Sequence, residues 1–252
     1  MIKKTKTSAD TLPPATIIMT FHAEGIYAHK SLLGFQRMRD YSIAQGNRVD
    51  LICILDKAES LTIQIVKKYI AKYGTQYDQI IETSYGSLSA SRNTGTDHAA
   101  TDYIGFLDGD DFFSANWVEE ALKKQISAKE TQILCMPGYV VSFGKHIACQ
   151  IIQSSKHIPM AQMINNHYWV SSSFGHISTY QNHPYNEKIN KTSKFVFEDW
   201  DFNLRCISSG IEIEPVENTY LFYRRRENSI LTEHISYDSL VPPSTFFEQV
   251  NL

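Results

Sequence analysis

Four segments rich in apolar residues, separated by stretches of helical spacing, constrain this chain more than anything else in it. They are Ala15–Phe21, Arg48–Leu55 followed by Asp56, Ile80-Ile81, and Tyr103–Leu107 followed by Asp108. Short, nearly continuous apolar runs suit strands buried on both faces. Between them, Lys30–Gln45 carries Leu32, Phe35 and Ile43 and stops at Gly46. A helix capped by Ser60 repeats Leu61, Ile65, Tyr69 and Tyr73 every four residues up to Gly74. Ser89–Ala100 is the third expected helix. Alternation at this spacing predicts right-handed crossover units and a parallel sheet, hence an α/β fold.

The second half changes pattern. Ser114 is placed to cap a helix with Val118, Leu122 and Ile126 on one face and Glu119 and Glu120 near its start. Strands are expected at Ile133–Met136, Tyr139–Phe143 and Ile147–Ile152, antiparallel, with turns at Pro137-Gly138 and Gly144-Lys145. Ser154–Ser193 is polar and aromatic and reads as loops over a site. Phe195–Phe197 leads into Glu198-Asp199-Trp200-Asp201, opening a helix that aligns Trp200, Leu204 and Ile207 and ends at Gly210. A last strand, Tyr220–Tyr223, precedes Arg224-Arg225-Arg226 and a polar tail.

Composition excludes several classes. With 252 residues, 42% hydrophobic and 20% charged, the chain is an ordinary globular protein. A net charge of −3 gives no case for a nucleic-acid partner. Met1–Asp10 has three lysines without an apolar core behind them, so no signal peptide is expected. No run approaches the ~18 apolar residues of a membrane span. Cys53, Cys135, Cys149 and Cys206 form no C-x-x-C pair, which argues against zinc; Cys53, inside the apolar run Val49–Leu55, reads as a core residue in a reducing compartment, and without a signal peptide or membrane span a cytoplasmic setting is expected. Peripheral attachment at a membrane's inner face stays open.

The chemistry concentrates in acids at the ends of elements. Asp108, Asp110 and Asp111 crowd one turn around Gly109, at the carboxyl end of a parallel strand, where ligands bind. So many carboxylates repel unless a cation sits among them, and a divalent ion carrying phosphate oxygens meets that need. The bland reading is a solvated acidic turn. Asp56 opens on the same edge. Glu198-Asp199, folded over it, would add a carboxylate able to act as a base; the alternative is a pair of helix-start acids favoured by the dipole. Arg92 is either a surface residue or a diphosphate or ribose contact. Trp169 and Trp200 suit sugar stacking or a core.

These residues resemble family 2 glycosyltransferases, inverting enzymes of GT-A fold that move a sugar from a nucleotide-sugar to an acceptor hydroxyl. The resemblance covers roughly residues 15–230. Thr20-Phe21-His22-Ala23-Glu24-Gly25 is similar to the family's opening strand and nucleotide loop. Asp56 stands where the family places its base-binding carboxylate, and Ser91–Gly95 resembles its Ala-Arg-Asn-x-Gly segment. Phe106–Asp111 matches the D-x-D-D metal motif, and Glu198-Asp199 matches the E-D motif.

The resemblance implies a Rossmann-like, mostly parallel sheet flanked by helices, with a smaller antiparallel acceptor-side part. It implies tails at 1–14 and 236–252 around one domain, 15–235, with a nucleotide-binding half (15–112) and an acceptor-binding half (113–235). Asp199 would be the catalytic base. Thr20, His22, Glu24, Asp56, Arg92, Asp108, Gly109 and Arg225 would hold the donor, a UDP-sugar by default. Asp110, with Asp108 and Asp111, would hold Mn²⁺ or Mg²⁺, and Glu198 and Trp200 would face a glycan or lipid-linked glycan acceptor in surface-polysaccharide synthesis. Asp56 is followed by Lys57-Ala58-Glu59-Ser60 rather than the family's Asp-Gly-Ser, and no Q-x-x-R-W of processive synthases occurs. The rival readings are a nucleotidyltransferase acting on a sugar phosphate and a non-catalytic nucleotide- or glycan-binding module. The first rival lacks its Gly-rich phosphate loop here.

Overall fold

The computed structural model describes residues 12–128, 132–188, 195–226 and 241–250. Strands β1 (Ala15–Phe21) and β2 (Val49–Asp56) are buried at every residue, so they lie in a sheet covered on both faces. β4 (Tyr103–Asp108) pairs parallel with β1 on its other side, and β3 (Gln79–Thr83) pairs parallel with β2. Helices α1 (Ile26–Ala44), α2 (Ser60–Tyr73) and α3 (Leu88–His98) form the crossovers. Thr20 sits opposite Asp108 and Phe21 opposite Leu55, so these strands finish level and their acids open on one edge.

Beyond β4 the sheet becomes mixed, in the order β3-β2-β1-β4-β8-β6-β9-β5. Its later strands are β5 (Phe112–Phe113), β6 (Ile133–Gly144), β8 (Phe174–His176) and β9 (Glu212–Arg225), while β7 (Ala148–Ile151) pairs antiparallel with β6. The helices α4 (Trp117–Ser127), α5 (Met160–Asn165), α6 (Ile177–Asn182), α7 (Glu198–Ser208) and α8 (Thr245–Gln249) complete the described elements. This is the expected α/β architecture with a mixed sheet: a parallel half, then five strands in which the antiparallel pairs β4–β8, β6–β7 and β5–β9 accompany the long parallel pair β6–β9.

Details differ from the sequence reading, each for a physical reason. The first helix starts at Ile26 rather than Lys30, directly after Gly25, whose φ of +54° turns the chain into it. Its buried face is Ala28, Leu32, Phe35 and Met38, leaving Ile43 exposed. Ser60 is the first helical residue of α2, not its cap; Thr62, Val66 and Tyr69 are the buried members of that helix, and Leu61 and Tyr73 lie outside. Ser114 does not cap α4 either: its hydroxyl accepts the Tyr220 N–H at 3.0 Å and ties β5 to β9, and Ile126 is exposed.

The largest correction concerns Pro137-Gly138. No turn forms there. β6 runs straight through with a register shift between Pro137 and Tyr139, and the Gly138 N–H donates to Thr219 Oγ1 at 3.1 Å. A bulge removes the need for the N–H that proline lacks. The strand therefore stays alongside β9, parallel over its whole length, and β9 begins at Glu212 rather than Tyr220. In Ser154–Ser193, unassigned from sequence, lie α5, β8 and α6. The described part of the expected C-terminal tail is also ordered in contact: Phe246 of α8 is fully buried, and Gln249 Nε2 donates to the Ser208 carbonyl of α7 at 3.0 Å.

Where α1 crosses β5, a Cβ on Gly34 would lie 2.5 Å from the Phe112 Cβ. A Gly34→Val variant is expected to lose about 1–3 kcal/mol through overpacking. Chemical denaturation measures this, and an unchanged midpoint would show that α1 is not pressed against β5.

Candidate active site

The acidic turn is built by close packing. A Cβ on Gly109 would stand 2.5 Å from Phe21 Cδ1 and 2.7 Å from the Thr20 carbonyl, so the turn passes over the end of β1 with room for no side chain. The three carboxylates then diverge. Asp111 turns inward, 1% exposed; its Oδ1 accepts the Arg224 N–H at 2.7 Å, and its Oδ2 has no hydrogen-bond partner among the described residues. Burial, reinforced by Asp110 and Asp108, holds its pKa well above the carboxylate range. Asp111 therefore anchors β9, and its carbonyl receives the Ser31 hydroxyl. Asp110 faces Arg226, with Oδ2 2.7 Å from a guanidinium nitrogen; burial raises its pKa and the arginine opposes the shift. Asp108 Oδ1 accepts from Arg92 at 3.1 Å and from Thr20 Oγ1 at 3.5 Å, and its Oδ2 accepts from Ser171 Oγ at 3.1 Å.

The loop after β1 supplies a further acid. Glu24 Oε2 accepts the His22 N–H at 2.6 Å, and burial, with a contribution from Asp110, pushes its pKa up to about 7. His22 Nδ1 lies 2.8 Å from the Asp56 carbonyl oxygen. The Asp56 carboxylate accepts from Thr83 Oγ1 at 3.2 Å and from the N–H groups of Gly86 and Ser87 at 3.0 and 2.9 Å. It fixes the β3–α3 loop at the sheet edge, a role the sequence did not reveal.

From the other half, α7 points its first residues at the same edge. Glu198 Oε1 accepts from Arg92 at 3.1 Å, and Arg92 also binds Asp108, so one buried guanidinium joins acids 90 residues apart (Glu198 and Asp108). Burial and then Asp199 raise the Glu198 pKa, opposed by Arg92. Asp199 Oδ1 accepts the Trp200 N–H at 2.9 Å, and its charge acts on Arg92, Glu198, His167, Tyr185 and Tyr223, which places all of them in one neighbourhood. Trp200 stacks on His167 at 5.3 Å and donates its indole N–H to the Met163 carbonyl, so it is held as part of the wall.

The three arginines divide between two sides of the strand end. Arg225 points to Ser142 Oγ (3.4 Å) and lies over the Tyr223 ring, whereas Arg224 and Arg226 turn to the acidic turn and to Tyr27. Side chains alternate along a strand, so alternate arginines share a side and Arg225 takes the other. Ser171, Tyr185 and Tyr27 were missed as well; the first two lie in the stretch without readable periodicity. Thr20, His22, Glu24, Asp56, Arg92, Asp108, Gly109, Asp110, Glu198 and Asp199 all gather at the one edge.

Among the described residues, no group of three or more His, Cys, Asp or Glu side chains could hold a metal ion unaided. Magnesium- and manganese-like ions commonly use one or two carboxylates and complete their shell with phosphate oxygens and water. That donor set fits Asp110, with Asp108 beside it, but not the inward-facing Asp111. No helix among the described residues is long and apolar enough to cross a membrane.

Comparison with known proteins gives the family and the fold. The model of a family described as "Glycosyltransferase like family 2" matches residues 17–156, more than half the chain. No curated protein matches the sequence. The crystal structure of S. aureus TarS 1-349 in complex with UDP-GlcNAc is similar, with a TM-score of 0.63 at 16% identity, covering 93% of this chain and 64% of that one. TarS 1-349 in complex with UDP gives a TM-score of 0.60 at 14% identity over 84% of this chain, which spans 60% of that structure. At such identity the likeness is one of fold, and it bears out the GT-A architecture expected from the sequence.

Glu24 gives a pH test of the buried site. Its pKa rises from 4.5 to about 7 on folding, so between those values the folded chain holds more protons than the unfolded one. Stability then falls as pH rises through that window, and the penalty is complete above it. A Glu24→Gln variant should match the native chain near pH 4.5 and exceed it by on the order of 1–3 kcal/mol above pH 7, after allowance for partial solvent screening. Thermal unfolding across pH measures the difference; one that is independent of pH would contradict the burial of Glu24.

Proposed function

The chain belongs to the glycosyltransferase-like family 2, and on that premise we propose that it transfers a sugar from a UDP-sugar to an acceptor hydroxyl with inversion at the anomeric carbon. The observation that carries this reading is the bonded series Asp108–Arg92–Glu198, which sets the acidic turn and the start of α7, with Asp199, against one another. The similar structures with bound UDP and UDP-GlcNAc support a uridine donor.

In the reaction, Asp199 takes the proton of the acceptor hydroxyl. The acceptor oxygen bonds the anomeric carbon as the bond to the diphosphate breaks and its electron pair leaves with UDP. Asp110, with Asp108 beside it, would hold Mn²⁺ or Mg²⁺, which when bound supplies positive charge to the departing diphosphate. Arg226 stands next to Asp110 and is placed to add a second positive charge to the phosphates. Asp56 keeps the β3–α3 loop in shape beside the nucleotide base. His167, stacked on Trp200, and Trp200 itself wall the acceptor side, suited to a glycan or lipid-linked glycan.

An Asp199→Asn variant should keep its affinity for UDP within about threefold and lose transfer by about 10³-fold or more. An Asp110→Asn variant should lose metal-dependent donor turnover. Calorimetry with UDP and a panel of UDP-sugars assayed for transfer check both. Retention of transfer within tenfold by Asp199→Asn would refute its role as base.

A further inference from the structure

Arg92 is among the largest fully buried side chains of the protein, 1% exposed. Its two terminal nitrogens already bond carboxylates, Glu198 on one and Asp108 on the other, each at 3.1 Å. Its guanidinium lies 5.1 Å over the ring of Tyr185, itself buried. The next residue extends the same hold: Asn93 accepts the Tyr185 N–H and donates to the Tyr185 carbonyl, both at 2.9 Å. A side chain presented to a diphosphate would keep its nitrogens open to the cleft. This one is locked beneath it.

What it locks is the start of α7. That helix has no side-chain cap bond, and Phe197 before it adopts a left-handed conformation (φ +66°), which a bulky residue holds only under constraint. The Glu198–Arg92 bond ties this turn to α3, beside the edge contact of the Phe197 ring with Trp200 at 5.8 Å, and Asp199 is the next residue. The groups facing Asp199 are Glu198 beside it, Arg92 from α3, His167, Tyr185 and Tyr223. Of these Arg92 is the lasting cation, and it shares its charge with Asp108.

We propose that Arg92 is a positioning residue that acts through Glu198 to set Asp199 against the acidic turn, and not a ligand of the donor. The proposal rests on the reading of Asp199 as the base. It follows that damage to Arg92 reaches the transfer step and spares the nucleotide.

The test is a double-mutant cycle with Arg92→Met, Glu198→Ala and their combination, read as kcat for transfer and as UDP affinity in the presence of Mn²⁺. Each single variant is expected to lose kcat by about 100-fold, the cost of a small misplacement near the chemistry. Affinity for UDP should stay within about threefold, which also reports that each variant is folded. The double variant should be no worse than the poorer single one. Losses that multiply to about 10⁴-fold, or an Arg92→Met variant that loses UDP affinity while kcat stands, overturn the proposal. Failure of the native chain to transfer sugar would instead refute the functional reading. The positioning claim is then decided by the same cycle in denaturation midpoints, where independent, additive effects overturn it.

Discussion

Gathering negative charge where water is scarce is the constraint that shapes this molecule. Asp108, Asp110, Asp111, Glu198, Asp199 and Glu24 meet at one end of the sheet, and burial raises the pKa of Glu24, Asp110, Asp111 and Glu198. Such a cluster holds together because arginines reach it from two directions. Arg92 comes up from α3 beneath the site, and Arg226 comes across from the end of β9. Stripping one partner from a buried pair costs about 3–5 kcal/mol, because the other charge is left uncompensated. The arginines are therefore as much a part of the architecture as the core.

The two cations are not equivalent. Arg92 is fully buried and bonded to two acids, whereas Arg226 is partly exposed and pairs with Asp110. A buried, doubly bonded guanidinium is fixed. The mixed sheet brings the second one in: β9 returns beside β6 and delivers Arg224 and Arg226 to a turn more than a hundred residues earlier in the chain.

The parallel half was legible because its signals are local. Ala15–Phe21 and the run ending at Asp56 are buried throughout, and burial on both faces writes itself as continuous apolar sequence. The acids at strand ends were legible for the same reason. What failed depended on distant partners. Pro137-Gly138 looks like a turn to its neighbours in sequence, and becomes a bulge only because Thr219 and Val216 stand beside it. Which way each of Arg224, Arg225 and Arg226 turns is readable only once the strand carrying them is known to begin at Glu212. Asp56 showed its position but not the loop it holds, and Ser171 sat in a stretch with no period to read. The cap expected at Ser114 was misplaced because a serine near a helix start has other bonds available to it, and the one expected at Ser60 because α2 begins one residue earlier, with Glu59 at its cap.

A crystal structure of the chain with UDP and Mn²⁺ tests the central claim directly. It should show an anomalous manganese peak within coordination distance of Asp110, the diphosphate beside it, Arg226 drawn from Asp110 toward the phosphates, and the Asp108–Arg92–Glu198 bonds unchanged. UDP bound away from this edge, or bound here with Asp110 still paired to Arg226 and no metal between carboxylate and phosphate, would contradict the account.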